Sequence, residues 1–437
     1  MKIKWLWVPL LCFGLFSSPA LADNRVIVRT TLGFQGIQQV CHPILFIRPC
    51  TVVRGLGDPL NQLFLVTTPL DLTTFLNLLG NIAGIVDVEA DQVVRLVGGL
   101  NQLGAPPAGL FDTAPNHYFN TNVWNGYAVQ PAAQIVRVSD AQSIFHVSGL
   151  GIVADIDTGV DQNHPALKQV LLQGYDFTRN QPGGSEMSDF SGPPPNTNTS
   201  NIAQVNQSTA AVLDQSTAAV LDGNPQYSAF GHGTMVLGVV HLTAPRANLL
   251  PLKAFDSSGS GFLSDILRAI YFSVQNGANV VNMSFDFKTN STEFNNALDY
   301  ANQNGLICVS SAGNDGMQEI VYPAALQSHV MGVASTSDAD TRSTFSNYGN
   351  AIVWVAAPGE AIISTYPFGT YAASSGTSFS APFVSGGSAL LLDMNKNIDQ
   401  NGAASAIANA VPVGAGMGNG RLDLLLALQF MSKHPNN

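Results

Sequence analysis

The sequence predicts an α/β protein: a mainly parallel sheet with helices on both faces, preceded by a small α+β unit. Three observations carry this expectation. Apolar strand-like runs alternate with amphipathic helix-like runs from about residue 151 onward, which is the pattern of a parallel sheet covered on both sides. A shorter segment near the N-terminus has its own strand and helix signals. Between the two lies Gly98-Gly99-Leu100-Asn101-Gln102-Leu103-Gly104-Ala105-Pro106-Pro107-Ala108-Gly109, which reads as a linker.

The chain begins with the basic run Met1-Lys2-Ile3-Lys4, an apolar stretch from Trp5 to Phe16, and Ala20-Leu21-Ala22. This is the layout of a secretory signal peptide over residues 1–22. The stretch is too short to span a hydrocarbon core, which requires ~20 apolar residues. Cys12 lacks a lipobox-like small residue before it and is not read as a lipidation site. The expected product is secreted, extracellular or periplasmic, with no membrane partner once the signal is removed. The formal net charge is −11, and removal of Lys2 and Lys4 leaves the remainder more acidic still, which excludes nucleic acid as a partner.

Residues 23–97 form the first expected unit. Val26-Ile27-Val28 and Leu63-Phe64-Leu65-Val66 are strand-like with a loop between them. Leu70 to Ile82, behind Pro69, has helical spacing, and strand character returns through Val86-Asp87-Val88-Glu89 and Val93-Val94-Arg95-Leu96. Cys41 and Cys50 are close in sequence, bracket Pro43 and Pro49, and lie in an exported chain, so a disulfide is expected. Closing so short a loop contributes at most about 3 kcal/mol. Residues 98–115 are the linker.

The main unit, 116–432, opens with Gly151-Ile152-Val153-Ala154-Asp155-Ile156 as a strand. It continues with a helix from Gly233 to Val240 and a strand over Ala247 to Leu252. A helix then places Phe262, Leu263, Ile266, Leu267, Ile270, Tyr271 and Val274 on one side and stops at Asn276-Gly277. Val280 to Ser284 is a strand, Thr292 to Asn304 a helix, Leu306 to Ser310 a strand holding the apolar thiol Cys308, and Ala381 to Leu392 a long helix. Residues 180–228 break the pattern with a polar insertion, in which the octapeptide Gln207 to Asp214 is repeated at Gln215 to Asp222. Two copies are too few for a solenoid, and no chemistry is assigned to them.

Asp157, His232 and Ser378 stand in Ile156-Asp157-Thr158-Gly159, Gly231-His232-Gly233-Thr234 and Ser375-Gly376-Thr377-Ser378. Glycine beside each reactive group lets backbone turn sharply and approach closely. Asp157 ends a strand and Ser378 begins a helix, where ligands of parallel sheets bind. A hydroxyl, an imidazole and a carboxylate that fixes the imidazole tautomer are the parts of nucleophilic acyl transfer. A Gly-x-Ser-x-Gly esterase elbow is absent from Gly376-Thr377-Ser378-Phe379-Ser380.

In these runs, and in the order Asp, His, Ser, the chain resembles the subtilisin-like serine proteases, the subtilases of peptidase family S8, from about Gly126 to Leu428. The resemblance implies a secreted serine endopeptidase working through an acyl-enzyme, with Ser378 as nucleophile, His232 as general base and then acid, and Asp157, rather than Asp155 or Asp161, orienting the imidazole. It implies Asn314, in Ser310-Ser311-Ala312-Gly313-Asn314-Asp315-Gly316, as oxyanion donor, a role worth about 3 to 4 kcal/mol of barrier. It further implies that Ser258-Gly259-Ser260-Gly261 pairs with an extended substrate, and that Met283-Ser284-Phe285 and Ser311-Ala312-Gly313 wall the specificity pocket. Phe285-Asp286 departs from the family's usual Leu-Gly and puts a ring and a carboxylate near that pocket. The first unit resembles the subtilase propeptide, which implies a self-processed zymogen cut between about Val97 and Pro115, with its own propeptide as intramolecular inhibitor. Calcium is implied by the resemblance alone. Asp176, Asp189 and Asp256 are candidate donors, but their spacing matches no defined loop, so no metal ligand is assigned.

Overall fold

Val26, Ile27 and Val28 are all fully buried in the strand Asn24–Thr30, the centre of the first unit. That strand pairs antiparallel with Leu63–Thr68 on one side and Ile85–Ala90 on the other, and Thr51–Gly55 extends the sheet beyond Leu63–Thr68. The computed structural model describes residues 23–43, 49–96, 107–191, 203–204 and 225–434. The signal segment 1–22, much of the linker and the octapeptide repeat lie outside the described residues. The first unit comprises the described residues up to Gly55 and from Gln62 to Ala90.

Helices Gly33–Val40 and Leu72–Gly80 cover this sheet with Ile37, Phe75 and Leu79. The second helix starts two residues later than its apolar spacing suggested, because the Asp71 carboxylate accepts from Thr74 N–H at 3.0 Å and caps it there. The expected loop between the first two strands instead holds the helix Gly33–Val40 and the strand Thr51–Gly55. Phe34, Ile37 and Val40 stand at helical spacing, so this helix has a periodic signal that the loop reading passed over. A disulfide between Cys41 and Cys50, Cα atoms 4.7 Å apart, joins the end of that helix to the start of that strand.

The main unit, which includes Asp91 onward, is built on an eight-stranded sheet. Its order is Gln181–Pro182, Tyr175–Asp176, Asn248–Lys253, Ile152–Asp157, Val280–Met283, Ile307–Ser311, Met331–Thr336 and Val355–Pro358. All the pairings are parallel except that of the first edge strand. Helices His232–Thr243 and Thr377–Met394 pack together, and every residue of the first is buried, which fits its lack of an apolar face. Helices Leu263–Gln275 and Thr292–Gln303 also pack against one another.

Two placements go beyond the sequence pattern. The long helix runs from Thr377 to Met394, with Ser378 in its first turn as expected and its ends beyond the apolar run Ala381 to Leu392. Pro382 within it cannot donate to the Ser378 carbonyl four residues back, and Ser284 Oγ donates to that oxygen instead, at 3.0 Å. The strand Val93–Leu96 leaves the first unit and lies between Ser260–Phe262 and Phe285–Asp286, antiparallel to both. Edge strands with unpaired backbone groups on two sides are what an extended segment completes. Just upstream, Asp91 caps the helix Leu263–Gln275 by accepting from Ser264 N–H and Oγ–H, each at 2.8 Å.

Candidate active site

Asp157 closes the strand Ile152–Asp157, and Ala254 and Phe255 donate their N–H groups to its carbonyl. The backbone is thereby pinned on the side away from its carboxylate. Thr158 N–H donates to Oδ1 at 2.7 Å, and His232 Nδ1 lies 2.7 Å from both carboxylate oxygens. An imidazole nitrogen facing a buried carboxylate carries the proton, which leaves Nε2 as the acceptor. His232 Nε2 is buried and has no partner among the described residues. The close approach of the two segments depends on glycine. A Cβ on Gly233 would collide with the Gly159 carbonyl, and one on Gly159, at φ +98°, would lie 2.6 Å from Gly184 O.

Ser378 stands at the amino end of Thr377–Met394, where backbone N–H groups and the helix dipole favour negative charge. Its Oγ donates to Ser284 O at 3.3 Å, and the ring of the next residue, Phe379, lies 5.6 Å from the His232 ring. Asn314 Oδ1 accepts from Thr377 N–H and Oγ1–H, each at 2.9 Å. With its oxygen so engaged, the amide NH2 turns toward Gly376, and a Cβ there would lie 3.1 Å from Asn314 Nδ2. A carboxylate–imidazole pair, an imidazole nitrogen without a partner among the described residues, a hydroxyl at a helix start that bonds here to Ser284 O rather than to the imidazole, and a neutral amide donor are the parts of acyl transfer.

Two buried groups that the sequence did not single out brace this arrangement. Glu186 is fully buried, and its Oε2 accepts from Gly231 N–H at 2.8 Å and Thr158 Oγ1–H at 3.0 Å, while Thr234 Oγ1 bonds to Oε1. Burial pushes this carboxyl up to about 8, against the bonds from Thr234, Gly231 and Thr158 and the charge of Lys253. Lys253 is fully buried too, with Nζ donating to Thr158 O, Phe255 O and Asp189 Oδ2 at 2.7–2.8 Å. Both sit in unremarkable sequence, a polar insertion and a strand end, so residue type alone carried no signal. Asp155, set aside above, is buried with Oδ1 accepting from Asn282 Nδ2 at 3.0 Å; burial first, then the Asp157 charge, holds it well above the usual carboxylate range. Asn282 also donates to Ser284 Oγ at 2.9 Å and accepts from Ser385 Oγ at 2.8 Å, so this polar ladder reaches the Ser378 helix.

The candidate calcium donors do not suit a metal. Asp176 accepts from Thr178 and from Arg179 N–H and Nη1–H, and Asp189 bonds to Arg179 and Lys253. Asp256 Oδ1 is used by Ser258 N–H, Ser258 Oγ–H and Ser260 N–H, which closes its own turn. Among the described residues no cluster of three or more His, Cys, Asp or Glu is placed to hold an ion.

The segments expected to bind an extended chain already hold one. Ser260, Gly261 and Phe262 oppose Arg95, Val94 and Val93; Gly259 O accepts from Leu96 N–H at 2.9 Å, and Arg95 Nη1 donates to Ser260 Oγ at 2.9 Å. On the other side Phe285 and Asp286 oppose Leu96 and Arg95. Ser258 Oγ lies 3.1 Å from Ser260 Oγ. Met283, Ser284, Ser311 and Ala312 are buried. The Phe285 ring, expected near the pocket, is fully buried against Phe255, with centroids 5.2 Å apart. The Asp286 carboxyl lies beside Gly313 instead. There a Cβ on Gly313, at φ +96°, would lie 2.6 Å from Asp286 Oδ2 and would clash with Asn347 Nδ2, and neither polar atom has a partner among the described residues. Burial, then Asp315 and Glu319 against Lys288, pushes Asp286 up to about 7.

Comparison with known proteins agrees with this geometry. Residues 151–423 match the family model described as the subtilase family. The chain is 33% identical to thermitase of Thermoactinomyces vulgaris over 69% of its own length and 96% of that protein. It is 32% identical to a thermophilic serine proteinase of Bacillus sp. (strain AK1), over 65% of this chain and 63% of that one. The crystal structure of a cold adapted subtilisin-like serine proteinase superposes with a TM-score of 0.51 at 28% identity, covering 64% of this chain and 91% of that one. The chain belongs to the subtilase family and is a serine-type endopeptidase.

Proposed function

We propose that the protein is an exported, self-processed zymogen whose mature form cleaves peptide bonds with Ser378 as nucleophile. His232 takes the Ser378 proton through Nε2 and later delivers it to the leaving amine, while Asp157 holds the Nδ1–H tautomer and stabilises the imidazolium. Asn314 Nδ2 donates to the oxyanion that forms on the attacked carbonyl, beside the N-terminus of the Ser378 helix. The observation that carries this reading is the Asp157–His232 pair, doubly in contact at 2.7 Å, with its far nitrogen left as an acceptor.

Extended substrates add a strand between Ser258–Gly261 and the Ser284–Asp286 edge, binding through main-chain bonds. In the unprocessed chain Val93–Leu96 fills that place, which supports inhibition by the segment preceding the linker. Residues 1–22 direct export, 23–97 act as the inhibitory propeptide, and the processing cut falls between about 97 and 115.

A fluorophosphonate probe applied to the processed protein tests the assignment. Labelling and casein hydrolysis that vanish together in Ser378→Ala are expected, with mass spectrometry of the secreted product locating the cut. Labelling that persists in Ser378→Ala, or none in the wild type, overturns it.

A further inference from the structure

We infer that Glu186 is a positioning residue for the reaction: one buried carboxyl ties the turn that carries Asp157 to the helix start that carries His232. The inference rests on the triad reading above. The ties are short in sequence from the reacting groups: Thr158 follows Asp157 directly, Gly231 precedes His232 directly, and Thr234 follows it by two. Glu186 Oε2 takes the Gly231 N–H at 2.8 Å and the Thr158 hydroxyl at 3.0 Å, and Oε1 bonds to the Thr234 hydroxyl. Each hydroxyl is itself engaged across the same seam: Gly233 N–H donates to Thr158 Oγ1 at 3.0 Å, and Asp161 N–H donates to Thr234 Oγ1 at 2.7 Å. The seam therefore alternates between segments, so that neither the aspartate turn nor the histidine helix start can shift without breaking bonds to the other.

The geometry needs such a tie. His232 is the first residue of its helix, and Gly231, at φ +93°, has no side chain with which to cap it. The N–H groups of Gly231 and Gly233 would otherwise be buried without a partner. A carboxylate and an imidazole that must keep a 2.7 Å contact while charge moves through the ring are sensitive to sub-ångström displacement. Among the described residues the Glu186 carboxyl bonds to Thr158, Gly231 and Thr234 and to neither the Asp157 carboxylate nor the His232 ring.

The processed enzyme separates this role from a purely structural one. Active sites are titrated with the fluorophosphonate probe, and kcat and KM are measured per titrated site on a peptide substrate. Glu186→Ala is expected to lower kcat and the labelling rate roughly 10- to 100-fold with KM within about twofold. Glu186→Gln, which keeps an acceptor for Gly231 and Thr158, is expected to recover most of that loss. A structural role alone would reduce the number of titratable sites and leave kcat per site unchanged, and that result overturns the inference. If Glu186→Ala is not secreted, Thr158→Val, near-isosteric and lacking the shared hydroxyl, is expected to lower kcat several-fold at constant KM; unchanged kcat there overturns the inference equally. Failure of the wild type to label at Ser378 would instead sink the triad reading.

Discussion

Glu186 and Asp286 are both buried carboxyls near the reacting groups, yet their surroundings differ. Glu186 accepts three hydrogen bonds from the segments that carry Asp157 and His232, whereas Asp286 points one oxygen at Gly313 with no partner among the described residues. Both are pushed up by burial, Glu186 against its own bonds and Asp286 with two acidic neighbours adding to the shift. A satisfied network fixes geometry, whereas a buried carboxyl oxygen without a partner carries a desolvation cost. The Glu186 carboxyl is thus fully bonded into the seam between the Asp157 and His232 segments, whereas one Asp286 oxygen has no partner among the described residues.

Substitutions around the Asp157–His232 pair and Asn314 are expected to reduce rate or stability, and substitution of Asp286 to change pH behaviour. Asn314→Ala should show the largest effect among the variants that retain the triad, lowering kcat by ~10²- to 10³-fold with little change in KM. A proportional rise in KM at constant kcat would move Asn314 from the chemistry to binding. Lys253→Met, in the Ser378→Ala background to prevent self-digestion, should lose on the order of 3 kcal/mol in denaturant unfolding, because Asp189 and two carbonyls lose a buried ammonium. An unchanged midpoint would show the braced side to be less dependent on that cation than its geometry indicates.

Replacing both Cys41 and Cys50 by Ser should lower the stability of the first unit by up to about 3 kcal/mol, read as earlier proteolytic loss of that unit, and leave kcat of the processed enzyme unchanged. Asp286 gives the smallest effect and the most direct test of the unpartnered carboxyl. Its folded value of about 7 lies above the ordinary 3.8, so its protonated form is favoured by folding. That contribution is complete below pH ~4 and is lost as pH rises through about 7. Against Asp286→Asn, the parent should therefore lose on the order of 1–3 kcal/mol between pH 4 and 8. Parallel stability curves for the two would show that Asp286 is satisfied after all.

Much of this was legible in the chain. Strand and helix runs of the main unit follow from period and from their Gly and Asn stops, and the three motif runs stand where strand ends and a helix start bring them together. The first unit was read only in part: Gly33–Val40 carries Phe34, Ile37 and Val40 at helical spacing, but its brevity and two glycines hid a helix that covers the sheet with Ile37. The fate of Val93–Leu96 was not legible either. Its alternating apolar residues say strand, but which sheet it joins depends on two edges whose sequences lie more than 160 residues further on.

By itself the sequence determined the proposed chemistry: the residue types Asp157, His232, Ser378 and Asn314, their order, and the small neighbours that let backbone come close. Tertiary structure alone decided how those residues are held. It brought Glu186 from a polar insertion to both halves of the carboxylate–imidazole pair, put the Lys253 ammonium where Asp189 meets two carbonyls, and turned Phe285 into the core and Asp286 toward Gly313. The physical reason is that a hydrogen bond or a buried charge takes its meaning from its partner, and these partners are distant in the chain and adjacent only once the sheet has formed.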